Sequence, residues 1–321
     1  MTMLNLDTKV VINRDFIVSP NLADRFGPDD LKRLGMHVAD GYTRDKQTRS
    51  AWERRNEAGM DLALQVQKGK DFPWPNCSNI AFPLVTIAAL QFHARAYPTL
   101  ISGQDIVKCR VVGEDPDGQK RARADRISDH MSYQVLEEDR AWEEQHDRLL
   151  INLPIVGCAF GKSYYNSSLG YNVTELVLAR DLVMHYFAIS TEACARKTHI
   201  IPLFRNEVYE RVQRKVFADV LDEAWYRQVA PNSPSAPNET GVDNRKGMQP
   251  PQPDQDTPFV GLEQHCLLDL DQDGYAEPYI VTIEESSSTV LRVVARFEQE
   301  EDIERTAAGK IIKIRPTEYF T

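Results

Sequence analysis

Between Pro83 and Pro98 nothing interrupts a helix, and this stretch restricts the rest of the chain more than any other. Proline is tolerated at a first helical position, where its missing N–H has no intrahelical partner to lose. The reading is therefore a helix over Pro83 to Tyr97, ended by Pro98. Leu84, Val85, Ile87, Ala88, Ala89, Leu90, Phe92, Ala94 and Ala96 fall around nearly its whole circumference, the pattern of a helix enclosed by protein. It is expected to be a core helix. A bilayer span needs roughly 20 apolar residues without charge, and this segment is shorter and carries Gln91, His93 and Arg95. Upstream, Pro73, Pro75 and Pro83 hold the residues before them out of the helical region. Asp71 to Phe82 is accordingly expected to be an extended, stiff arm.

A chain of 321 residues holds two or three modules of ordinary size, and 42% apolar with 27% charged residues is a soluble globular composition. The first residues lack the basic stretch and apolar run of a secretory signal, so the protein is expected to stay in the cytoplasm that makes it. Five cysteines, Cys77, Cys109, Cys158, Cys194 and Cys266, are odd in number and without a Cys-x-x-Cys pair, which indicates neither a disulfide framework nor a zinc site. They are expected to be buried thiols. The net charge of −10 is uneven: residues 254–304 hold 14 acidic and 2 basic residues, so the remainder carries +2. Tight non-specific DNA binding draws on Lys and Arg displacing counterions. An acidic chain is unsuited to a clamp and compatible with a conduit along which a polyanion slides.

The expected fold class is α+β, with long helices in the N-terminal half, then antiparallel β-hairpins and a β-meander. Residues 1–50 are polar, with a short helix after Gly27-Pro28 where Asp29 and Asp30 favour a helix N-terminus; they read as an arm ordering on a neighbour. Residues 51–229 form the helical and β core: a helix over Ala51 to Gln67, the central helix, a half-buried strand over Asp105 to Val112 and a turn at Glu114 to Gly118. A helix over Gln119 to about Glu138 follows, with Ile127, Met131 and Val135 on one face. Another holds Trp142, Leu149, Leu150 and Leu153 and stops at Pro154. A hairpin of Ile155 to Tyr165 with Tyr171 to Leu178 comes next, then a strand over Leu182 to Phe187. Asn206 caps a helix to Val216. Residues 230–258 hold seven prolines and almost nothing apolar, and read as a flexible loop. Residues 259–321 read as an acidic antiparallel meander of Val260 to Leu270, Tyr275 to Glu284 and Thr289 to Arg296, its first turn a tight hairpin at Asp273-Gly274. The end, Ile311 to Thr321, is strand-like, as of a chain truncated before further elements.

Three constellations invite chemistry and none is complete. Gly157 to Ser163 nearly spells a phosphate-binding loop, but only three residues separate Gly157 from Gly161-Lys162 where four are required, and a hairpin rather than a helix is expected to follow. Asp269, Asp271, Asp273 and Gly274 match the first half of a calcium loop. Its twelfth position is Ile280, Glu277 is left to complete a site of another geometry, and a hairpin turn is the preferred reading. Cys158, Asp181 and His185 have the residue types of a nucleophile, an orienter and a base, with no spacing that joins them. His93 reads as a hydrogen-bonded core histidine. No catalytic residue, metal or cofactor is expected, and the chain does not read as an enzyme.

The phrases Phe72 to Tyr97, Leu153 to Phe160 and Asp269 to Ile280 resemble the portal proteins of tailed double-stranded DNA phages, especially the long portals of short-tailed phages. The likeness runs from about Ala51 to Thr321. It implies a wing-like portion, over residues 51 to 230 and 259 to 321, of a subunit in a dodecameric ring at the capsid vertex. DNA would enter and leave the virion through that ring. Implied partners are other copies of the chain, the terminase large subunit, the major capsid protein, tail adaptor and head-completion proteins, and DNA in transit, but no membrane. The stem, tunnel helices and clip of such subunits would follow Thr321. Ring subunits need heterologous surfaces that close on themselves, and interfaces favour rigid aromatics, for which Phe72 and Trp74 are the residues at hand; packing of Trp74 on the central helix is the competing placement. Another ring-forming virion adaptor or head-completion protein, or a phage DNA-processing enzyme, remain the alternatives.

Overall fold

The computed structural model describes residues 4, 6–66, 72–75, 77–78, 80, 82–101, 103, 106–166, 169–228, 230, 254–306 and 310–321. The chain divides into two units: residues 1–51 with 180–318, and residues 52–179 with 319–321. The expected segment 51–229 is thus split at Ala179, and most of the proline-rich 230–258 lies outside the described residues.

In the first unit, period-two hydrophobicity produces a five-stranded antiparallel sheet. Its strands are β3 (Leu182–Met184), β4 (Lys197–Leu203), β5 (Phe259–Leu268), β6 (Glu277–Glu284) and β7 (Thr289–Ala295), in that spatial order. The meander therefore holds, and the sheet extends it by β3 and by β4, which its Lys-Thr-His start concealed. Phe259 and Val260 point to opposite faces and belong to separate clusters. One comprises Phe16, Leu22, Leu34, Val38, Leu262, Tyr279 and Val281; the other comprises Leu203, Val208, Trp225, Phe259 and Leu291. The sheet is covered on both sides, so β5 and β6 are buried along nearly their whole length.

The first cover is the N-terminal segment, and here the arm expectation fails. Residues 1–50 are not an arm: Arg14–Ile17 form a short helix, α1, and Pro28–Thr48 a long one, α2. Leu34, Val38, Tyr42 and Asp45 bury one stripe of α2. Pro28 opens α2, with Asp29 and Asp30 in its first turn; the Asp30 carboxylate accepts from the N–H groups of Asp7 and Thr8, at 2.9 and 3.0 Å, and binds the preceding chain to the helix. Backbone donors that sheet burial would strand are met by side chains: Asn21 Oδ1 accepts from Val293 N while its Nδ2 donates to Leu291 O. The second cover is α7 (Arg205–Gln213), whose Val208 and Val212 are buried. Phe204, not Asn206, is its N-cap.

The second unit holds α3 (Ser50–Ala63, shared at its first turn with the first unit), α4 (Leu84–Leu100), α5 (Gln119–Tyr133), α6 (Trp142–Val156) and the hairpin β1 (Ala159–Asn166) with β2 (Tyr171–Leu178). A π-type turn, Gln134–Glu138, continues α5. Both helices with an internal proline run past it, α4 to Leu100 and α6 to Val156, because a missing N–H in the last turn removes a single bond. Gly157 then ends α6 at φ 88°, a left-handed cap. Residues 106–112 form no strand; Val107 instead bonds Ser128 and Ser132 of α5. Residues 319–321 align beside β1, Ser163 N donating to Tyr319 O and Gly161 N to Thr321 O. On the far side of the hairpin, β2 donates to Asp139 from Thr174 N and to α6 Gln145 from Leu176 N, so part of an open strand edge is blocked by side chains. The last pair of strands, β8 (Ile303–Arg305) and β9 (Ile311–Ile314), belongs to the first unit.

Candidate functional site

Helix α4 forms as its sequence requires, but it is not submerged. Of its residues only Ala89 is fully buried, while Leu84, Leu90, Phe92 and Leu100 are 67%, 55%, 41% and 57% exposed. Inside the chain it is held along one side, by α6: His93 Nε2 lies 2.6 Å from Asp147 Oδ1, and the Tyr97 hydroxyl donates to Glu143. Thr86 Oγ1 donates to Ala63 O at 2.6 Å. His93 is thus tied, as expected, by a hydrogen bond, but at a half-buried helix seam. The correction has a physical cause. Apolar residues around a helix mark a surface that favours burial, and the pattern alone does not fix how much of it the chain's own elements cover.

The proline segment carries further exposed apolar side chains. Phe72 and Trp74 are 80% and 64% exposed, Ile80 and Phe82 92% and 72%, so Trp74 does not pack on α4. Nor is the described part straight: residues 72–75 bend, Cys77 N donates to Trp74 O, and Cys77 Sγ to Phe72 O. Asp71, Asn76, Asn79 and Ala81 lie outside the described residues. On α5, the predicted apolar face is also uncovered, with Ile127 and Met131 39% and 42% exposed. Among the described residues, both hydrophobic clusters are made entirely of first-unit residues. The buried apolar residues of the described second unit are Ala63, Ala89, Leu150, Val177, Ala179 and Phe320.

The other concentration of chemistry is the connection from β5 to β6. It is not the expected two-residue hairpin turn, since the ladder ends at Leu268 opposite Glu277 and residues 269–276 form the loop between them. Asp269 accepts from Asp273 N and Gly274 N, Asp271 from Asp273 N, and Asp273 from Tyr275 N, at 2.8 to 3.1 Å. Gly274, at the sixth position, has φ 92°, where only glycine is unstrained. Carboxylate oxygens of Asp269, Asp271, Asp273 and Glu277 all lie within 4.8 Å of one another. Glu277 is fully buried; its Oε2 accepts from Leu270 N at 3.2 Å and its Oε1 has no hydrogen-bond partner. Burial, then the neighbouring Asp271 charge, pushes the Glu277 carboxyl up to about 8, and burial foremost raises Asp271 and Tyr279.

The remaining sequence constellations are dispersed. Cys158 belongs to the second unit, Asp181 and His185 to the first. After Gly157 the chain enters β1 rather than a helix, and Lys162 lies over the rings of Tyr164 and Phe320, 5.3 and 5.8 Å from their centroids. The cysteines divide: Cys194 and Cys266 are buried, Cys109 is exposed and Cys77 and Cys158 are intermediate, so the expectation of five buried thiols fails for three. Among the described residues no helix is long and apolar enough to cross a membrane. No family model matches the sequence, and no curated protein matches it.

Proposed function

We propose that this chain is a portal-type ring subunit of a tailed double-stranded DNA phage, an architectural part of a DNA passage, and that α4 with the Phe72 to Phe82 segment packs against a second copy. The observation that carries the reading is the mismatch between the two units. Among the described residues, one holds both apolar clusters, while the other leaves its most apolar helix, α4, largely facing solvent. Fully burying a Leu or Phe side chain contributes about 1.5–3 kcal/mol. The half-exposed apolar residues of α4 would each contribute part of that on association, against its entropic cost. Exposed Phe72 and Trp74 are rigid aromatics of the kind that dominate interfaces.

A second copy is the favoured occupant because a ring subunit must offer one surface to each neighbour, and closure makes the contact heterologous. The acidic 254–304 segment supports a passive role, since it offers a sliding polyanion few attractive contacts. The phrases at 72–97, 153–160 and 269–280 supply the phage-specific part of the reading. Negative-stain microscopy of the purified protein, expressed from its full reading frame, tests it: rings with an axial hole are expected. Monomers at all concentrations, or turnover of ATP or DNA by the purified chain, would overturn it.

A further inference from the structure

We infer that the loop 269–276 with Glu277 is a calcium site, and that the bound ion fastens the N-terminal strap of the first unit to the sheet. The inference stands independently of the ring reading.

The geometry is that of a ligand shell. Calcium takes oxygen ligands at 2.3–2.6 Å, so two oxygens on opposite sides of the ion are roughly 4.6–5.2 Å apart; four carboxylate groups with oxygens all within 4.8 Å fit around one centre. The pattern Asp269-x-Asp271-x-Asp273-Gly274-x-x-Glu277 places three short carboxylates on the loop and one longer one at the first residue of β6. A strand thus supplies the last ligand, where a helix supplies it in the helical calcium loop. This answers the objection that position twelve is Ile280.

The acidic cluster alone is insufficient; the decisive group is Glu277. Its side chain has no exposure to solvent, is aimed at the three aspartates, and leaves Oε1 without a hydrogen-bond donor. A buried acceptor without a partner costs stability unless something satisfies it, and a cation is the group that three facing carboxylates would recruit. The backbone is already set for it, because the N–H groups of Asp273, Gly274 and Tyr275 point at carboxylate oxygens and hold the aspartates in place. Magnesium is disfavoured: it keeps several waters and uses one or two carboxylates, whereas four converge here.

The same loop is the anchor of two distant segments. Gln272 Nε2 donates to Leu6 O at 2.9 Å, Val10 N donates to Leu270 O at 3.2 Å, and the Tyr275 hydroxyl accepts from Ile314 N at 3.1 Å. Leu6 and Val10 are buried in the main cluster. Rigidity gained by the loop passes directly to that strap.

Titration of the chelator-treated full chain with calcium chloride, followed by calorimetry, tests the site. One ion per chain is expected, with affinity at least tenfold weaker in Asp271→Asn and in Glu277→Gln, and at least tenfold weaker for magnesium in the wild type. Asparagine and glutamine keep the oxygen acceptors, so folding is expected to survive; far-UV circular dichroism checks that it does. Hydrogen exchange on the wild type alone supplies the second readout: calcium slows the amides of 6–12 and 269–277 several-fold. No heat at millimolar calcium, or equal binding by folded variants, overturns the site. Binding without slower exchange at 6–12 overturns the fastening.

Discussion

Asp45 is 2% exposed and is met by the Arg196 guanidinium through two bonds, Nε to Oδ2 and Nη2 to Oδ1, both 2.7 Å. Removing one partner of such a pair leaves a buried charge, which costs about 3–5 kcal/mol. Arg196→Ala is therefore expected to lose about that much in urea unfolding, and Arg196→Lys, which cannot form the fork, to recover only part. His265 gives a pH signature. Burial, against the favourable Glu263 contact and with Arg296 and Lys197 opposing protonation, lowers it from 6.5 to about 4. Between those values the unfolded chain binds more protons, so stability rises with pH from about 4 to 6.5 and falls on acidification. From pH 7 to pH 4 the wild type is expected to lose up to about 3 kcal/mol more than His265→Gln; equal losses would contradict this. The Asp45–Arg196 pairing is not legible in the sequence, because 151 positions separate the two and periodicity carries no information across that distance.

Elements were legible where one local rule decided them. The alternation from Val260 to Arg296 named β5, β6 and β7 to within a few residues, and the apolar run after Pro83 named α4. From sequence, α2 reads as a short helix in a polar, weakly patterned segment, although it contains Gly35 and Gly41 well inside its span. In the fold both are close approaches: a Cβ on Gly35 would stand 2.0 Å from Ser288 O, and one on Gly41 3.1 Å from Arg196. Gly35→Ala is expected to cost about 2–3 kcal/mol by overpacking, measured as a fall in the urea midpoint at unchanged slope. Gly157→Ala meets no neighbour within 4 Å, so it pays only for its left-handed backbone, about 1 kcal/mol. The acidic loop was half legible. The spacing of its aspartates shows in the sequence, but its twelfth position departs from the helical calcium loop, and Glu277 becomes decisive only through its burial.

At the scale of the molecule, composition implied enough apolar residues for a soluble fold and could not say how they would be shared. The first unit takes both clusters, and the second is left with α4 in the open. The proposed ring resolves that imbalance by supplying the missing cover from the next subunit. Sedimentation velocity on the full chain beside Leu90→Glu is the most direct test. Leu90 is 55% exposed and no part of either cluster, so a charge there leaves the monomer fold intact by circular dichroism. The wild type is expected to form a closed oligomer with rising concentration and Leu90→Glu to remain a monomer; an oligomer indifferent to the substitution, or a wild type that never associates, would contradict the account.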